Sequence, residues 1–158
     1  MKRAKTTRNP LLRFLFLVYM GLLVWLLFYK NRQASYADYW LQVSRNYSIT
    51  PFYTIRNYLY VVRYSSNAYL LRHCYVNLIG NVLLFCPGGY LLPALWPKFR
   101  KYGKFFFTCL ASILAVETVQ LFSLLGSFDI DDVILNLVGL TCGYIFYKLI
   151  HPKSRQRR

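Results

Sequence analysis

Acidic residues are almost missing from this chain. It has five in 158 positions, against 20 lysines and arginines, and a formal net charge of +15. Histidine is scarcer still, with two copies. There is no Ser-His-Asp order, no HExxH and no glycine-rich phosphate loop, so serine-hydrolase, metalloprotease and nucleotide-binding motifs are all lacking. The four cysteines, Cys74, Cys86, Cys109 and Cys142, form no CxxC and show no pairing spacing. Three of them fall in apolar stretches, so buried free thiols are expected, not a disulfide framework or a zinc site. No stretch reads as linker, repeat or low complexity. One domain over 1–158 is expected.

What the chain does have is apolar length. Hydrophobic residues make up 56% of it and aromatics 19%. Four runs, Leu11–Tyr29, Tyr75–Trp96, Phe105–Leu125 and Val133–Ile150, are 18 to 22 residues long. A helix needs roughly 20 apolar residues to cross a bilayer. The fold class expected is therefore all-α: a helical integral membrane protein with four transmembrane helices. The first run is longer than the apolar part of a signal peptide and no A-x-A-like site follows it, so an uncleaved span is expected.

The basic residues orient these spans. Lys2, Arg3, Lys5, Arg8 and Arg13 precede or open the first. Lys98, Arg100, Lys101 and Lys104 lie between the second and third, and Lys148, Lys153, Arg155, Arg157 and Arg158 end the chain. Together they are 14 of the 20, and four spans place all of them on one side. The positive-inside rule makes that side, with both termini, cytoplasmic. Basic runs flanking spans act as topology signals beside anionic lipid, so no nucleic-acid partner is implied.

Residues 30–74 then form an outer segment, dense in tyrosine and arginine. From Pro51, the residues Phe52, Ile55, Leu59 and Val62 recur at helical spacing, with Thr50 as a candidate N-cap. An amphipathic helix on the outer leaflet is expected. Its arginines Arg56, Arg63 and Arg72 either snorkel from an aromatic belt or hold an anionic headgroup, since the guanidinium fork suits phosphate.

Three of the five acids stand in one stretch, Phe128-Asp129-Ile130-Asp131-Asp132-Val133-Ile134-Leu135-Asn136. Polar pairs lie inside the spans on either side of it. Asn77 and Asn81, Glu117 and Gln120, and Asp132 and Asn136 are each three or four apart and share a helix face. At 1.5 Å per residue, Asn81 lies about 9 Å, Glu117 about 12 Å and Asn136 about 6 Å below the outer ends of their helices. Three helices thus carry polar groups to similar depth. If the faces converge they make a polar pocket; if not, the amides are interhelical glue and Asp131 and Asp132 cap the last span. Cys86-Pro87-Gly88-Gly89, with Pro93 and Pro97 beyond it, is expected to kink the second span or turn it into a re-entrant half-helix.

In order, the pieces Thr50-Pro51-Phe52, Asn77-x-x-x-Asn81-x-x-x-Phe85-x-Pro87-x-Gly89-x-x-x-Pro93, Glu117-x-x-Gln120, Asp129-x-Asp131-Asp132-x-x-x-Asn136-x-x-Gly139 and Gly143-Tyr144 resemble the VanZ-like family of small bacterial membrane proteins. Many members carry an arginine before the acidic motif, where this chain has Gly126-Ser127-Phe128. The resemblance implies a role at the outer cell envelope, in lowered sensitivity to the lipoglycopeptide teicoplanin. The partners implied are the lipid bilayer and either a lipid-linked envelope precursor or the drug. Candidate catalytic residues are Glu117, Asp129, Asp131 and Asp132. Candidate ligand-binding residues are Asn77, Asn81, Gln120, Asn136, Arg56, Arg63 and Arg72. Two other functions stay open. In one, the four carboxylates hold a divalent cation such as Mg²⁺ or Mn²⁺ in a membrane enzyme acting on a lipid phosphate or lipid-linked sugar. In the other, the chain is a non-catalytic scaffold.

Overall fold

A computed structural model describes residues 9–28 and 38–152. The basic residues Lys2, Arg3, Lys5, Arg8, Lys153, Arg155, Arg157 and Arg158 of the topology argument lie outside them. Among the described residues, four helices are long and apolar enough to cross a membrane: α1 (Pro10–Phe28), α4 (Ala68–Leu95), α5 (Tyr102–Phe122) and α6 (Ile130–Ile150). Between α1 and α4 come α2 (Tyr39–Arg45), the two-residue strand β1 (Tyr47–Ser48) and α3 (Tyr53–Tyr64). A 3₁₀ turn, Pro97–Arg100, joins α4 to α5, and β2 (Phe128–Asp129) leads into α6. The spans run alternately up and down. Arg13, Lys98, Arg100, Lys104 and Lys148 therefore gather at one end of the bundle, and the acidic turn before α6 at the other.

The core is a seam between α4 and α6, and glycine makes it. A Cβ added to Gly143 would overlap the Cys86 carbonyl oxygen. One on Gly139 would overlap the Val82 carbonyl oxygen, and one on Gly89 the Leu140 carbonyl oxygen. The two helix backbones thus touch directly, as small residues four apart allow in membrane helices. Around the seam, Phe105, Val133 and Tyr147 are almost fully buried. Tyr144 stacks on Phe105 with ring centroids 4.7 Å apart, and its hydroxyl donates to the Arg100 carbonyl at 2.7 Å. Lys148 Nζ donates to the same carbonyl at 2.8 Å. Helix α1 is held loosely by comparison. Leu23 is its one buried residue, and its side-chain bonds include Tyr19 Oη to the Leu84 carbonyl at 3.1 Å.

Three expectations change here. Helix α4 starts at Ala68, seven residues before the expected span, with Asn67 as its N-cap. It is continuous through Pro87 and Pro93 and is not a re-entrant half-helix. Each proline removes one backbone hydrogen bond, and close packing on α6 outweighs that loss. Finally, Thr50 does not cap α3. Phe52 holds that position, at φ 62° and ψ 8°, with no side-chain cap from within its own segment. The four cysteines are free, but of the three in apolar stretches only Cys109 is buried; Cys86 is half-buried and Cys142 exposed.

Candidate functional site

The segment between the first two spans is tied to the acidic turn. Strand β1 pairs in parallel with β2, placing Tyr47 against Phe128 and Ser48 against Asp129. Asp129 is the N-cap of α6. Its Oδ1 accepts from the Asp131 N–H at 2.9 Å, and its Oδ2 accepts from the Thr54 hydroxyl at 2.7 Å. The cap is therefore Asp129, where Asp131 and Asp132 were expected.

Asp131 does something else. Its side chain is fully buried. Oδ1 accepts from the Phe52 N–H at 2.6 Å and Oδ2 from the Ile55 N–H at 3.0 Å. Those are orphan donors at the start of α3, so Asp131 caps that helix from 79 residues away. Phenylalanine in the left-handed region costs about 1–2 kcal/mol. Two hydrogen bonds to a charged acceptor contribute about 1.5–3 kcal/mol each and outweigh that strain.

Asp132 lies one residue on. Its Oδ1 accepts from Asn81 Nδ2 at 2.7 Å, joining α6 to α4. Glu117, 4% exposed on α5, sits close enough to Asp132 and Asp129 to interact electrostatically with both. Tyr58 of α3 closes over the group. Burial first, and then the carboxylates of Asp132 and Asp129, push its phenol above the usual tyrosine range, so it remains a protonated donor. Among the described residues no basic side chain forms an ion pair with any of these acids.

Beneath the acids a cavity of about 300 Å³ runs between α1, α4, α5 and α6. Its walls are mostly apolar, with Phe16, Met20, Leu23 and Leu27 of α1, Phe85 and Leu92 of α4, Ile113 and Val116 of α5 and Leu140 of α6, and they include Tyr19, Thr108 and Ser112. Glu117 and Asn136 also line it. Asn136 is 2% exposed, and its Oδ1 is the one buried side-chain N or O atom without a hydrogen-bond partner among the described residues. Leaving such an acceptor unpaired costs about 1–3 kcal/mol.

The expected site residues therefore divide. Glu117, Asp129, Asp131, Asp132, Asn81 and Asn136 gather at the acid-bearing end of the bundle. Gln120 is nearby but occupied, its Nε2 donating to the Leu27 carbonyl at 2.8 Å and tying α5 to α1. Asn77 turns away and donates to the His73 carbonyl in its own helix at 2.8 Å. Arg56, Arg63 and Arg72 are exposed, and Arg63 lies over the Tyr64 ring at 5.5 Å. No three His, Cys, Asp or Glu side chains among the described residues come together to hold a metal ion. Asp129 and Asp131 turn their oxygens to protein donors, and the open alternative of Mg²⁺ or Mn²⁺ on Glu117, Asp129, Asp131 and Asp132 has no such grouping among the described residues. Thr54, Tyr58 and Phe52 were missed as site residues. Nothing in their local sequence signals contact with a turn more than 70 residues later.

Over 146 residues the chain is 28% identical to Protein VanZ of Enterococcus faecium, covering 92% of this chain and 79% of that protein. No solved structure matches. The VanZ/LLP1 family model matches residues 16–151, taking in the four spans, the acidic turn and the cavity, and the chain belongs to that family.

Proposed function

We propose that this membrane protein lowers sensitivity to teicoplanin-type lipoglycopeptides by holding a lipid chain in the cavity below the acidic turn. The single observation behind this reading is a largely apolar cavity with Glu117 and Asn136 in its lining. The chain held is either that of the drug or that of a lipid-anchored envelope precursor. In this reading the acid-bearing end faces outward in a bacterial cell membrane and both termini are cytoplasmic, as the basic residues at the opposite end favour.

Two measurements test it. Reporter fusions after Ile150 are expected to read cytoplasmic and fusions at Arg45 external; a cytoplasmic signal at Arg45 would invert the site and sink the reading. Expression in a sensitive Gram-positive host is expected to raise the inhibitory concentration of teicoplanin several-fold. Met20→Trp, which fills the cavity from α1 without touching an acid, is expected to abolish that rise at unchanged membrane yield. Full protection by Met20→Trp would leave the scaffold reading as the better account.

A further inference from the structure

Half of α3 carries side chains that its packing does not use, and what they suggest is independent of the cavity. Thr54, Ile55, Tyr58, Val61 and Val62 are half-buried along one side of the helix. The other side is an exposed arc, which at about 100° per residue runs in the order Leu59, Arg63, Arg56, Tyr60, Tyr53, Tyr64. It has an apolar edge, a basic middle and a tyrosine edge. We propose that this arc is a docking surface for anionic phospholipid headgroups, with Arg56 and Arg63 holding the phosphate.

The level of the helix is the first support. Helix α6 has 21 residues, a length of about 31 Å, against about 30 Å of hydrocarbon in a bilayer. Its first turn therefore stands where hydrocarbon meets headgroups. Asp131 in that turn accepts from the Phe52 and Ile55 N–H groups, which fixes the start of α3 at the same level. Charge is the second. Residues 38–74 hold four arginines and one acid, Asp38. These arginines oppose the charge asymmetry that orients the spans, so topology does not account for them. Among the described residues Arg56 and Arg63 form no ion pair, and the Asp129 and Asp131 carboxylates are held by donors of the protein. The third is the tyrosine edge. Arg63 lies over the Tyr64 ring at 5.5 Å, and the Tyr60 and Tyr64 centroids are 4.7 Å apart. Tyrosine suits the membrane interface, with its ring in apolar surroundings and its hydroxyl in water. A guanidinium fork matches phosphate oxygens. A zwitterionic head brings its own cation to its phosphate and an anionic head does not, so two arginines favour the anionic lipid.

The experiment places full-length protein in phosphatidylcholine nanodiscs. Trp25, Trp40 and Trp96 are replaced by phenylalanine, and Tyr60→Trp puts one indole on the arc. A minor share of the lipid carries bromine on its acyl chains, as either phosphatidylglycerol or phosphatidylcholine. Brominated phosphatidylglycerol is expected to quench the indole roughly three-fold more strongly than brominated phosphatidylcholine, because each arginine enriches anionic lipid beside it. Arg56→Gln with Arg63→Gln is expected to bring the two lipids level at an unchanged size-exclusion profile. Both substitutions are exposed, so the fold does not depend on them. Lys101→Gln, exposed at the opposite end, is expected to leave the difference intact. Equal quenching by the two lipids overturns the proposal and leaves the arc an aromatic belt without headgroup selection. A difference that survives in the double variant overturns it too. If neither lipid quenches and soluble polyphosphate shifts the indole emission, the arc takes a phosphate polymer and the lipid proposal fails.

Discussion

Asp131→Asn is expected to release the segment between the first two spans while the bundle stays folded and inserted. Asn is nearly the same shape, but it offers one acceptor oxygen and turns an NH₂ toward the other backbone donor. At a fully buried position one of Phe52 N–H and Ile55 N–H then meets a donor. The lost charge-assisted bond and the new unpaired groups together remove about 2–4 kcal/mol. Among the described residues the segment is also held by Thr54 to Asp129, the two-residue strand pair, the Phe128 N–H to the Asn46 carbonyl at 2.9 Å, and the Tyr39 hydroxyl to the Phe122 carbonyl at 2.8 Å. Trypsin added to intact protein is expected to cut at Arg56 and Arg63 about 30-fold faster than in wild type or more, since opening is the step that admits the protease. Asp132→Asn, at a side chain whose hydrogen bond goes to Asn81 and which accepts none from the α3 backbone, is the control and is expected to keep wild-type resistance. Unchanged cleavage in Asp131→Asn would show that the remote cap does not hold the segment.

Gly143→Val is expected to have the other large effect, on the bundle itself. Forcing a methylene into a packed core costs about 1–3 kcal/mol when side chains can move aside. At Gly143 the obstacle is the Cys86 carbonyl, and backbone cannot rotate away. The whole α4–α6 seam must widen, taking the Gly139 and Gly89 contacts with it. The variant is expected to insert but to elute as an aggregate on size exclusion in detergent. Gly21→Val and Gly103→Val, where an added Cβ meets nothing within 4 Å, are expected to elute as wild type. A monodisperse Gly143→Val protein would contradict the seam.

These two sites also show what the sequence could and could not tell. Four spans were legible because apolar run length reports membrane crossing with little help from context. The depth of Glu117 was legible only in part, because α5 ends at Phe122 and not Leu125, which leaves Glu117 about 7.5 Å from that end where about 12 Å was expected. The role of Asp131 was not. Sequence spacing places an acid after Asp129 in the first turn of α6, where capping its own helix is the local expectation, and only the tertiary fold brings α3 to it. The glycines were read one by one, with Gly88 and Gly89 as loosening a proline turn. Their partners on α6 show that Gly89 serves close approach, which requires knowing that α4 and α6 are neighbours. The stripe Phe52, Ile55, Leu59 and Val62 was half right. Ile55 and Val62 are half-buried, whereas Phe52 and Leu59 are exposed and Tyr58 turns inward instead.

The strand pair has a consequence for how the protein is made. Tyr47 and Ser48 leave the ribosome early, but their partners Phe128 and Asp129, and the Asp131 that caps α3, are synthesised only after α4 and α5. Contacts this distant in sequence form last. Until then the tyrosine-rich segment has nothing to dock on, and the cavity has no floor from α6. A chain interrupted before residue 128 is expected to leave that segment open to added protease. Resistance to proteolysis at Arg56 is thus a mark of completed synthesis, and nascent chains can be sorted by it before any ligand is bound.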